Sequence, residues 1–144
     1  MHIKTIVLGA AFAVLAAGAA HAEGEPAGYV CDFEAGTAWT FEDGAFVNKA
    51  SEPLQLTIAD VDLEAQSAQL VAGQGGAPGQ LKIVRAINAN HFLEVVNEGF
   101  LNLTTIYDLD PKSGTYPAVH SRHFGVLGQP VVAQYAGSCT AGPK

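Results

Sequence analysis

The stretch Tyr116–Cys139 reads YPAVHSRHFGVLGQPVVAQYAGSC, and its pattern decides the fold class. Two strand-like runs, Tyr116–Phe124 and Pro130–Gly137, flank a turn at Gly125–Gln129. Side chains alternate faces along a strand, so His120 and Arg122 share one face while Ser121 and His123 share the other. The densest set of ionisable and aromatic groups in the chain lies here, with Tyr135 on the returning run and Cys139 at its end.

Working outward, the same rhythm repeats. Tyr29–Glu34 puts Cys31 and Phe33 on one face and Val30, Asp32 and Glu34 on the other. A second short run, Ala38–Phe41, carries the only tryptophan, Trp39, and meets the turn signal Glu42-Asp43-Gly44 before Phe46–Lys49. Leu54, Leu56 and Ile58 alternate with polar neighbours, as a half-buried strand requires. Ala68–Ala72, Leu81–Ala86, His91–Val96 and Phe100–Tyr107 follow. Between them lie polar or glycine-rich connections at Asp60–Ser67, Gly73–Gly79, Asn88–Asn90, Asn97–Gly99 and Asp108–Gly114. No helical period is long enough to cross between parallel strands. Eight or nine short strands with this spacing predict an all-β antiparallel meander, closed as a barrel or packed as a sandwich.

The chain begins with an address. Lys4 precedes an apolar run, Ile6–Ala20, that is short for a membrane span, and Ala20-His21-Ala22 fits a signal-peptide cleavage site. Residues 1–22 are therefore read as a signal peptide and 23–144 as one all-β domain, of a size that buries roughly two thirds of its unfolded surface. The expected location is periplasmic or secreted, with no membrane insertion. The formal charge of −7 becomes −8 when Lys4 leaves. That charge argues against nucleic acid, which needs a basic face.

Cys31 and Cys139 are the two cysteines, near the two ends of the mature domain. In an oxidising compartment they read as one disulfide. Such a bond would bring the first and last strands together, which favours a sheet that closes on itself.

Chemistry-bearing patterns are sparse. His120 and His123, three apart on a strand, point to opposite faces and do not chelate one metal, so no metal site is expected. Arg122 offers a planar fork for anions, and His120 could add a donor beside it. Glu94 or Asp32 could instead pair with Arg122 as an internal strut. Ser121 has no GxSxG elbow, and neighbours along a strand point to opposite faces, so no catalytic set is assigned. Asp60/Asp62/Glu64 and Asp108/Asp110 read as solvated turns, because neither run has a calcium-loop register. Gly73–Gly79 lacks the lysine and hydroxyl that grip phosphate. No cofactor is expected. His91 reads as an exposed turn residue, and most aromatics as core.

Ala118-Val119-His120-Ser121-Arg122-His123 and Gln134-Tyr135-Ala136-Gly137-Ser138-Cys139 resemble segments of small exported proteins of proteobacteria that have no assigned activity. The resemblance implies export and a paired cysteine. The strand count also resembles that of lipocalins, although Ala38-Trp39 stands where their Gly-x-Trp signature would be. The leading expectation is an exported, non-catalytic domain that binds a small molecule or a protein, with His120, Arg122 and Tyr135 as its polar contacts. One alternative is an inhibitor of a cell-wall hydrolase of the lysozyme type, whose basic surface an acidic domain would complement. Another is an enzyme using His120 or His123.

Overall fold

The computed structural model describes residues 24–71, 78–96, 100–126 and 128–144. The proposed signal peptide, most of the Gly73–Gly79 connection, the Asn97–Gly99 turn and Leu127 lie outside the described residues.

Nine strands form one antiparallel meander: β1 (Tyr29–Glu42), β2 (Ala45–Ser51), β3 (Leu54–Asp62), β4 (Ser67–Val71), β5 (Gly79–Arg85), β6 (Ala89–Val96), β7 (Phe100–Tyr107), β8 (Tyr116–Val126) and β9 (Gln129–Ala141). β1 and β3 to β9 close into a ring, because β9 returns to pair with β1. β1 is long enough to serve three neighbours. Tyr29–Phe33 pairs with β3, Gly36–Glu42 pairs with β2, and its other edge holds β9. The β1–β2 hairpin turns at Asp43 and Gly44, both with positive φ, as a tight hairpin turn demands.

The sequence pattern divides β1 into Tyr29–Glu34 and Ala38–Phe41; the structure instead has one 14-residue strand. A bulge explains the difference. Between Asp32 and Ala35, β1 advances one residue more than β9, which inverts the face each later side chain takes. Tyr29, Cys31 and Phe33 point inward before it. After it, the inward row falls to Gly36 and Ala38, so Trp39 turns outward. Two glycines make the bulge possible. A Cβ on Gly137 would collide with the Asp32 carbonyl oxygen and lie 2.9 Å from Phe33 Cα. A Cβ on Gly36 would collide with the Tyr135 ring, which lies over it.

The interior is largely filled. Tyr29, Phe33, Ile58, Ile83, Phe92 and Ile106 are fully buried around the Cys31–Cys139 disulfide. Tyr29 meets Phe92 and Tyr116 edge-on, with centroids 5.9 and 5.3 Å apart. Each such side chain contributes about 1.5–3 kcal/mol by leaving water. The disulfide joins directly paired residues of β1 and β9, so it fastens the seam where the ring closes. No described helix is long and apolar enough to cross a membrane.

Candidate functional site

Strand pairing lays the inward side chains of β6 to β9 in rows across the sheet. One row runs Phe92, Thr104, His120, Tyr135 and ends on Gly36. The next row toward one end of the ring runs Glu94, Asn102, Arg122, Ala133. Polar groups therefore replace the apolar core on this wall. The facing wall, from β3 to β5, is apolar apart from Gln55, with Leu54, Leu56, Leu70 and Leu81. Between the walls lies a cavity of about 50 Å3. That is room for a few waters or one small polar group.

His120 forms its floor and is only 4 % exposed. Its Nδ1 lies 2.8 Å from Thr104 Oγ1. Its Nε2 is buried with no hydrogen-bond partner among the described residues. Burial, and secondarily the Arg122 charge, push the imidazole down to about 4, so it is neutral at physiological pH. A neutral ring has one donor and one acceptor nitrogen. Whichever way Thr104 fixes Nδ1, Nε2 has one unmet hydrogen-bonding capacity.

Arg122 is half-buried beside it. The only ion pair among the described residues is Lys49–Glu42, on the surface at 3.4 Å, so neither Glu94 nor Asp32 serves as its strut. Glu94 instead accepts a 2.7 Å hydrogen bond from Asn102 Nδ2, and Asp32 accepts one of 2.6 Å from Gln55 Nε2. The guanidinium brings positive charge to the cavity wall, which Glu94 and Asn102 also line.

Strand alternation brings the three expected contact residues together unequally. His120 and Arg122 line the cavity; Tyr135 does not. Its ring packs 6.0 Å from His120 and 6.4 Å from Phe33, which holds the imidazole in place. His123 is exposed and lies on the opposite face from buried His120, so the two imidazoles do not converge. His91 differs from its reading as an exposed turn residue. It lies on β6, half-buried, with Nδ1 2.8 Å from Thr105 Oγ1. The acidic turns cap their own backbones: Asp62 accepts from the amides of Glu64 and Ala65, and Asp110 from those of Lys112 and Ser113. Among the described residues no group of three or more His, Cys, Asp or Glu side chains is placed to hold a metal ion.

Asn102 and Thr104 were not singled out in the sequence. Their signal was present but faint. Within Phe100–Tyr107 the face opposite Leu101 and Leu103 carries Asn102 and Thr104, and that polar face is the inward one. A broader outer groove of about 450 Å3 runs past Trp39, Thr37, Ser121 and Gln134 on the other side of the sheet. No protein-family model matches the chain, and no curated protein matches it.

Proposed function

We propose that this is an exported, non-catalytic binding domain, and that the mouth of the ring receives the anionic head of a small ligand. One observation carries the reading: His120, whose buried Nε2 has no partner among the described residues, lines the same cavity as Arg122. A buried polar atom left unsatisfied costs roughly 1–3 kcal/mol, so a group that supplies its partner gains that much on entry. The guanidinium selects for a carboxylate or similar oxyanion. The leucine wall then accepts a short apolar tail. Export is supported by the apolar leader with its cleavage pattern, by the disulfide, and by the resemblance to small exported proteobacterial proteins.

Calorimetry with butyrate and its neutral amide, butyramide, tests this reading at low salt. Butyrate is expected to bind the wild-type protein, and Arg122→Gln to abolish that binding. Equal binding of the amide, or undiminished butyrate binding by Arg122→Gln, would remove the anion site.

A second reading rests on a different observation. β2 ends the sheet, Ala45–Ala50 are all exposed along it, and Phe46 is 56 % exposed. A free edge with an exposed aromatic suits a protein partner. An acidic module of this kind would inhibit a basic cell-wall hydrolase. A lysozyme inhibition assay at low and moderate salt decides it; full lysozyme activity at both retires it.

A further inference from the structure

The inward face of the sheet runs on past the cavity toward the open end of the ring. The row that holds Arg122 continues through Ala133 and Ala38 on β9 and β1. The next row outward runs Phe124, Val131, Thr40 and Val47, across β8, β9, β1 and β2. Phe100 joins that row from β7, two residues before Asn102 and on the same face. Its ring stacks on Phe124, with centroids 5.4 Å apart and planes inclined by 17°.

This row is apolar yet open. Phe100 is 40 % exposed, Val47 is exposed, and Phe124 and Val131 are half-buried. Apolar groups gathered on one accessible face mark a binding surface, whereas scattered ones do not. The opposite direction is shut. On the core side the Phe33 ring lies 5.8 Å from the His120 ring, and Phe33, Phe92 and Ile106 are fully buried. A carboxylate that enters to reach Arg122 and His120 therefore leaves the rest of its molecule toward the open end, over the Phe100–Phe124 stack. Lys49, which follows Ala38 in the Arg122 row, is engaged at the surface by Glu42 at 3.4 Å, so Arg122 is the cation for the head. The two rings lie two residues farther along their strands than Arg122 and Asn102, about 7 Å. About five carbon–carbon bonds of ~1.5 Å, zigzagged, cover that distance. A four-carbon acid stops short of the rings, and an eight-carbon acid lies across them.

We infer that the ligand of the mouth is an amphiphilic carboxylate with a tail of about six carbons or more, its head at Arg122 and His120 and its tail on the Phe100–Phe124 stack and Val131. The inference rests on the anion reading of the mouth and adds the tail to it. Each methylene that leaves water against this wall strengthens binding by about two- to fourfold, the lower figure applying where the wall is half-exposed. Chain length, as well as charge, then sets the affinity.

Calorimetry with butyrate and octanoate tests it. Octanoate is expected to bind at least about tenfold more tightly than butyrate. Phe100 is exposed at the start of β7, so Phe100→Ala leaves the core intact; it is expected to weaken octanoate by about fivefold and to leave butyrate unchanged. Phe46→Ala, an exposed aromatic on the outward face of β2, is expected to leave both acids unchanged. Octanoate no tighter than butyrate would overturn the tail assignment and leave the anion site standing. So would a folded Phe100→Ala protein that binds octanoate like the wild type, or an equal loss in Phe46→Ala. Octanoate that binds Arg122→Gln as it binds the wild type, yet weakens in Phe100→Ala, would overturn the carboxylate head instead. Absence of binding by both acids would overturn head and tail together.

Discussion

His120→Asn is the most informative single change. Asparagine preserves a partner for Thr104 but does not titrate. The folded imidazole sits at about 4, against 6.5 for a free histidine. The folded value is depressed, so between about pH 4 and 6.5 the unfolded chain binds more protons than the folded one. Stability therefore falls as pH drops through that window, and nothing is lost above it. Going from about pH 7.5 to 4.5, this one group removes about 2.5 kcal/mol, worked from the two proton-binding equilibria. Urea unfolding at both pH values, for wild type and variant, measures it. The wild type is expected to lose about 2.5 kcal/mol more than His120→Asn. Parallel losses would refute the reasoning, as would an imidazole that titrates in the folded protein near 6.5.

Arg122→Gln is expected to change stability little, because the side chain is half-buried and outside the one ion pair among the described residues. It should also raise the His120 pKa partway, since burial is the larger cause and stays; ring NMR titration reads this directly. Replacing both Cys31 and Cys139 by serine opens a loop of 108 residues and is expected to cost about 4–5 kcal/mol, seen as a lower urea midpoint. Gly137→Ala forces a methyl against β1 backbone at the seam and is expected to cost about 3 kcal/mol. Gly36→Ala forces a methyl against the buried Tyr135 ring and the Gln134 carbonyl, so thermal unfolding should show a loss there too.

Strand alternation made much of the fold legible. Leu54, Leu56 and Ile58, and likewise Leu81 and Ile83, turn inward as their period-two spacing requires. Asp43-Gly44 takes the positive φ values that its turn chemistry implies. The two cysteines bridge the first and last strands as their positions require. The bulge in β1 was hidden, because it depends on Gly36 and Gly137 meeting a ring and a distant backbone. Local sequence does not encode those neighbours. The candidate site was half legible. His120 and Arg122 share a face by parity alone. Their setting among Asn102, Thr104 and Glu94 depends on the register of three strands, and on β7 turning its more polar face inward.

The mouth of the ring is tested most directly by following the His120 ring nitrogens by NMR while butyrate is added. Saturable movement of the Nε2 resonance is expected, together with the amides of Asn102, Thr104 and Arg122. A His120 ring that stays unmoved at saturating butyrate, or shifts confined to the outer groove beside Trp39, would contradict the account.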